Sequence, residues 1–348
     1  MAINLKSLTP NKVSTDFSSY SMLIYGTPKI GKSTFVNDLY GDKILQVFTE
    51  KRYKALEGAY VQYVSSWSEY LQVMKQLKDK ELKEKFTAVS IDTVENLFHM
   101  LEKYVAAKYG ENEIGERNDI FGKDWGELKS QWADGLSLIE KNGYVPVFVS
   151  HAIQVTTQIP KSAILPNQAE GVQMNTLNKD GVEYMEFQKY TPDGKERMMG
   201  PIRKMADNIL FMNVTTDESG NEHRVINLRE TLQWEAGVTF KNIRPVIELS
   251  AESYKKAVED ALGHVDKSST TEERVSNADI QSEELDYDAL MNEMKELAFK
   301  YAENNRQDDL KDITESVFGL GVKAMSATKS QVELVATMVD KLKEGLND

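Results

Sequence analysis
The 348 residues contain no cysteine, so neither a disulfide framework nor a thiolate metal site can be built, which agrees with a reducing compartment. Only four histidines occur, too scattered to make a zinc pattern. No apolar run is long enough to span a bilayer, and Met1 to Asp16 lacks the apolar stretch of a secretory signal. The expectation is a soluble, cytoplasmic protein with no membrane partner. Basic charge is in deficit as well: 42 Lys and Arg stand against 55 Asp and Glu, for a net charge of −13. The deficit is uneven, because residues 265–348 hold 10 Lys and Arg and 19 Asp and Glu, a net −9 that leaves −4 for the first 264. The larger part is therefore near enough to neutral to carry a local basic surface, although no basic stripe can be read from it.

What is present begins with an apolar run, Ser21-Met22-Leu23-Ile24-Tyr25, followed by Gly26-Thr27-Pro28-Lys29-Ile30-Gly31-Lys32-Ser33. The eight residues fit G-x-x-x-x-G-K-[ST], the loop whose backbone N–H groups cradle a polyphosphate. Gly26 and Gly31 permit the curl, Lys32 reaches the β- and γ-phosphates, and Ser33 is placed to ligate Mg²⁺. The segment from Ser33 through Thr34 to Tyr40 reads as a helix whose positive end faces the anion. The expected ATP-binding set is thus Gly26, Thr27, Pro28, Lys29, Ile30, Gly31, Lys32, Ser33 and Thr34.

Strand-like runs alternate with helical patterns over the next two hundred residues. Strands are expected at 22–25, 44–49, 60–64, 88–91, 145–150, 208–213 and 224–228, and helices near 33–39, 68–78, 94–108 and 125–141. Such alternation predicts an α/β fold with a mainly parallel sheet covered on both faces, and ligands at the carboxyl ends of its strands. Residues 152–205 break the rhythm with repeated Pro and Gly; 182–187 alternate in strand fashion, so the segment is expected to be part hairpin and part mobile loop inserted in the core. A helix at 251–262 closes the core. Residues 264–285 are polar and acidic and read as a disordered linker. Beyond it, Leu290, Met294, Leu297 and Tyr301, then Leu310, Ile313 and Val317, then Val332, Val335, Met338, Val339 and Leu342 recur at helical spacing, which predicts a small three-helix bundle over 286–348. The expected division is an N-terminal arm at 1–17, a core at 18–263, the linker and the bundle.

Phe86 to Thr93 ends a buried strand in a carboxylate, Asp92, the form of a second metal-holding position opposite Ser33. Asp92 could equally cap the helix from Val94. Glu50, at the end of Val47-Phe48-Thr49-Glu50, can orient and deprotonate an attacking water, or be a solvated acid beside Lys51 and Arg52. His151 follows Pro146-Val147-Phe148-Val149-Ser150, where a polar side chain can sense the γ-phosphate or simply end a turn.

Taken together, the phosphate loop, Glu50, Ile91-Asp92-Thr93, Asp119-Ile120-Phe121-Gly122, Gly143-Tyr144-Val145-Pro146 running into His151, and Ala206-Asp207-Asn208 resemble the compact RecA-like AAA-type ATPases of bacteriophages. That group includes single-strand annealing recombinases. Over residues 18–262 the resemblance implies a RecA-like P-loop NTPase core that hydrolyses ATP with Mg²⁺ in the host cytoplasm. It further implies single-stranded DNA as a partner in phage recombination or replication, and a homo-oligomer whose neighbours complete each other's sites. The C-terminal bundle would be the place for a replication or single-strand-binding protein partner. A basic residue reaching a neighbour's γ-phosphate would come from Arg244 or Lys241, with Arg229 behind them. For DNA the segment 152–205 offers Lys161, Lys179, Lys189, Lys195, Arg197, Arg203 and Lys204 beside Tyr184, Phe187 and Tyr190, cations for phosphates and rings for bases.

Overall fold
The computed structural model describes residues 10–116, 122–165, 168–169, 171–265, 267–275 and 285–347. In chain order the elements of the larger unit are β1 (Val13–Ser14), β2 (Met22–Gly26), α1 (Lys32–Tyr40), β3 (Ile44–Phe48), β4 (Tyr60–Tyr63), α2 (Trp67–Gln76), α3 (Lys80–Lys85), β5 (Ala88–Asp92) and α4 (Val94–Lys108). There follow α5 (Lys123–Lys141), β6 (Val145–Pro160), β7 (Asn175–Lys179), β8 (Val182–Pro192), α6 (Glu196–Met205), β9 (Asn208–Thr216), β10 (Glu222–Asn227), β11 (Val246–Glu248), α7 (Ala251–Leu262) and β12 (Thr270–Thr271).

The central sheet runs β11-β10-β9-β2-β6-β5-β3-β4. From β4 to β9 every pairing is parallel, and only β10 and β11 are antiparallel. Strands this apolar need cover on both sides, since successive side chains point to opposite faces. Met22, Ile24, Val147 and Val149 pack on one face with Phe35 and Val36 of α1 and Tyr254 and Val258 of α7. Leu23 and Phe148 point the other way, into a core with Trp67, Tyr70, Leu97, Leu101, Trp132 and Leu136 from α2, α4 and α5. This is a mixed α/β, P-loop NTPase-like core, with the phosphate loop leaving the carboxyl end of a central strand. Among the described residues no helix is long and apolar enough to cross a membrane.

Three expectations need correction. The strand expected to stop at Ser150 continues to Pro160: Ile153, Val155, Thr156, Thr157 and Ile159 favour extended backbone, and 152–160 pair antiparallel with β8, which also carries β7. The segment 152–205 is therefore mainly a three-stranded arm followed by α6, although residues 166, 167 and 170 lie outside the described residues. Helix α6 escaped the sequence reading because it contains Gly200 and Pro201; it forms because Met198, Met199 and Ile202 bury against the α5 side, where Trp132 Nε1 donates to the Met198 carbonyl at 2.8 Å.

The third correction concerns the linker expected to be disordered over 264–285. Its first half is pinned by hydrogen bonds rather than by apolar burial: β12 pairs in parallel with β1, Ser14 Oγ donates to the Glu273 carbonyl at 2.8 Å, and Arg274 Nη2 donates to the carbonyls of Thr87 and Gly143 at 2.9 and 3.1 Å. The arm expected at 1–17 is likewise tied down over 13–14. Residues 1–9 and 276–284 lie outside the described residues.

The second unit, from residue 281 onward, holds α8 (Tyr287–Glu303), α9 (Gln307–Phe318) and α10 (Val332–Asn347). Met291, Met294, Leu297 and Tyr301 bury against Val335, Met338, Val339 and Leu342, and Leu310, Ile313 and Val317 cover them in part. Its surface carries Leu320, Phe299 and Met325, all more than half exposed.

Candidate functional site
Strand β2 ends at Gly26 because no side chain fits there: a Cβ would lie 2.4 Å from the Met212 carbonyl oxygen of β9. The chain then curls through two left-handed residues, Lys29 at φ 66° and Gly31 at φ 117°, a conformation that turns successive N–H groups inward. Ile30, 4% exposed, anchors the underside of the loop in the α1/α7 core. Its carbonyl accepts from Arg224 Nη1 of β10 at 3.4 Å. Helix α1 starts at once, Phe35 N donating to the Gly31 carbonyl at 2.9 Å.

Lys32 is 7% exposed, and its Nζ donates to the carbonyls of Gly26 and Thr27 at 2.9 and 3.1 Å, which folds the side chain back over the loop. Burial lowers its pKa, and the negative charges of Asp92, Glu95 and Glu50 oppose that. One residue on, Ser33 Oγ donates to Asp92 Oδ2 at 2.5 Å. Burial raises the Asp92 carboxyl above its ordinary range, against the hydrogen bond from Ser33 and the charge of Lys32. Asp92 does not cap α4; Thr93 occupies that position, and it is fixed by Thr49, whose Oγ1 accepts from Thr93 N at 2.9 Å and donates to the Thr93 carbonyl at 3.0 Å. A hydroxyl and one carboxylate side by side suit Mg²⁺, a hard cation that takes oxygen ligands and keeps several of its waters. Ser33 and Asp92 would hold it.

Glu50 lies across the cavity. Asn96 Nδ2 donates to its Oε1 at 2.9 Å and Arg52 Nε pairs with its Oε2 at 3.1 Å, so the carboxylate is oriented by both neighbours. His151 sits in register with Gly26 on the adjacent strand. Its backbone N donates at 2.6 Å to Glu95 Oε1, in the first turn of α4, and that oxygen also accepts from Ser150 Oγ at 2.6 Å. The resulting cavity is about 240 Å³ and is lined by Pro28, Lys29, Gly31, Lys32, Ser33 and Thr34 on one side and Glu50, Asp92, Thr93 and His151 on the other. Gly26, Thr27 and Ile30 shape the loop without lining the cavity.

Other expected residues lie elsewhere. Arg244 is outside this cavity, its Nη2 on Asp260 Oδ2 of α7 at 3.0 Å. Arg229 donates to the carbonyls of Val238, Phe240 and Lys241 in its own loop. On the arm, Lys161 pairs with Glu183 and Lys189 with Glu230; on α6, Arg203 pairs with Glu196 and Glu235, and Arg197 stacks on Trp125 with 4.1 Å between guanidinium and ring. Phe187 is buried. Asp119, Ile120 and Phe121 lie outside the described residues. Sequence reasoning missed Asn96, Arg52 and Glu95; the signal was their spacing, since Asn96 stands one helical turn beyond Asp92 and Glu95 in the turn that follows the strand.

Comparison with known proteins agrees with this geometry. Residues 18–240 match a family described as an AAA domain. The chain is also 25% identical to the SPbeta prophage-derived uncharacterized protein YorG of Bacillus subtilis (strain 168), with 99% of each chain covered.

Proposed function
The chain belongs to the AAA domain family, and from that premise we propose that it is a Mg²⁺-dependent ATPase whose nucleotide state controls its grip on single-stranded DNA in phage recombination or replication. One observation carries the catalytic half. Lys32 and Ser33 come from one helix start, and Glu50 and Asp92 from two strand ends, and all four line one cavity. Lys32 and the loop amides take the β- and γ-phosphates, Ser33 and Asp92 hold Mg²⁺, and Glu50 takes the proton of the attacking water. Asn96 and Arg52 keep that carboxylate in place. The RecA-like part of the reading is supported by the strand β6 standing between the phosphate-loop strand β2 and the Asp92 strand β5, which places His151 beside the loop.

The DNA half rests on the arm, whose pairing begins directly after His151, a residue that lines the cavity. Lys195 is the N-cap of α6 and Lys204 lies in its last turn, and Tyr184 and Tyr190 lie on β8. Assembly as a homo-oligomer would let Arg244 or Lys241 reach a neighbour's site. A second reading is favoured by the pairing of Lys161, Lys189 and Arg203 with carboxylates. In it the protein is a nucleotide-gated interaction protein that recruits a replication or recombination partner through the C-terminal unit and does not itself bind DNA.

The test of the catalytic half is Glu50→Gln, which keeps the shape and removes the base. ATP should bind with unchanged affinity while turnover falls by about 10²-fold or more. Loss of binding instead would make Glu50 a structural residue and remove it from the chemistry.

A further inference from the structure
Glu95 is a half-buried acid that the chemistry above does not use. Its Oε1 accepts two short hydrogen bonds, from Ser150 Oγ and from the backbone of His151, both at 2.6 Å, with His151 Nδ1 3.9 Å away. Its other oxygen is buried and has no hydrogen-bond partner. Burial raises its carboxyl, and its charge acts on Lys32. An acid held this way is expensive to keep, because an unpaired buried acceptor has lost its water and gained nothing.

The place it grips is where β6 changes partners. Up to His151 the strand pairs in parallel with β2 and β5, and from Ala152 it pairs with β8 of the arm. The arm's return strand is fastened at the same point, Asp193 N donating to the His151 carbonyl at 2.8 Å. On the other side, three residues before Glu95, is Asp92.

We propose that Glu95 is a positioning residue of the nucleotide site: its carboxylate clamps β6 at Ser150 and His151, and through this clamp the occupancy of the Lys32–Asp92 cavity sets the position of the arm. The inference rests on the ATPase reading, which it deepens. A charge that is balanced by Lys32 in one nucleotide state and not in another alters the hold on the His151 amide, and β6 carries the difference into the arm as one continuous strand.

The experiment uses the full chain as wild type, Glu95→Ala and Glu95→Gln. ATP turnover is followed together with limited proteolysis of residues 152–192 in ADP and in a non-hydrolysable ATP analogue. Wild type should show different arm cleavage in the two nucleotides. In Glu95→Ala that difference should vanish, with kcat down about 10- to 100-fold and KM within about twofold. Glu95→Gln keeps an acceptor for Ser150 and His151 but has no charge for Lys32 to balance, so it should keep the wild-type melting temperature and still lose the cleavage difference, with kcat reduced. A merely structural acid would lower the melting temperature of both variants and leave the difference between nucleotides intact. Wild-type cleavage and kcat in folded Glu95→Ala would overturn the clamp, as would wild-type cleavage that ignores the nucleotide. If Glu95→Ala does not fold, Ser150→Ala takes its place: it must weaken the cleavage difference, and full retention overturns the clamp. A wild type that binds the analogue but does not hydrolyse ATP refutes the ATPase reading alone, since the cleavage comparison still tests the clamp.

Discussion

Replacing Asp92 by Asn should make the nucleotide-free protein more stable and the nucleotide-bound protein less so. Asp92 is 7% exposed, and burial raises its carboxyl, so above its folded pKa the ionised form costs stability, which acidification would relieve. The amide keeps an oxygen for the Ser33 hydroxyl, now 2.5 Å away, and the residue borders the cavity, where the new NH₂ can meet water. Removing such functional-site strain typically gains about 0.5–2 kcal/mol. For a unit of this size that is a rise of about 1–8 °C in melting temperature. Wild type with Mg²⁺-ATP analogue at one hundred times Kd should gain about 2.7 kcal/mol, or roughly 5–10 °C. The variant should lose most of that gain, because the metal position has lost its only charge. The assay is a pair of thermal melts, with and without Mg²⁺ and analogue, and the two proteins should exchange rank between them. Lower stability of the variant without nucleotide, or an undiminished shift with it, would refute the argument that Asp92 is held charged for a cation.

The remaining predictions concern the frame of the site. Gly26→Ala puts a Cβ 2.4 Å from a backbone oxygen in the middle of the sheet, which cannot give way cheaply, so thermal unfolding should fall by about 1–3 kcal/mol or more; an unchanged melt would mean that β2 and β9 lie further apart. A chain ending after Val275 should keep the melting temperature of the larger unit, whereas one ending at His264 should melt lower, because it loses β12 and the Arg274 bonds to Thr87 and Gly143. If the larger unit holds the DNA site, the chain ending at Val275 should bind single-stranded DNA at least as tightly as the full chain, since the acidic residues removed compete with phosphate; weaker binding would move the contact to the C-terminal unit.

The legible part of this protein is the part built from periodicity. Met22–Tyr25 reads as an unbroken apolar run, Ile44–Phe48 and Ala88–Ile91 read as apolar runs with one buried polar residue each, Gln46 and Ser90, and the helices 94–108 and 251–262 fall at the expected residues because their apolar stripes have helical spacing, the second also being bounded by the Ser250 cap and Gly263. The loop with Ser33 could be placed because it follows a strand and runs into a helix, and Asp92 and Glu50 because they stand at or just past a strand end. What was not legible depends on partners distant in sequence. Residues 152–160 are half exposed, and only β8, three dozen residues on, makes them a strand. Residues 267–275 have hardly any apolar side chains and are ordered by hydrogen bonds to β1 and to the carbonyls of Thr87 and Gly143, which composition cannot reveal. The cations of the arm and of α6 looked available in sequence because Glu230, which pairs with Lys189, and Glu235, one of the two carboxylates on Arg203, lie more than thirty residues away.

The most direct measurement is the ATP turnover rate of the full chain in Mg²⁺, with and without single-stranded DNA, beside Lys32→Ala. Losing the buried lysine of the phosphate loop should abolish turnover in the variant, while DNA should raise it in wild type by ordering the arm that begins after His151. Hydrolysis that survives in Lys32→Ala would contradict the site, and a wild-type rate that DNA leaves unchanged would contradict the coupling.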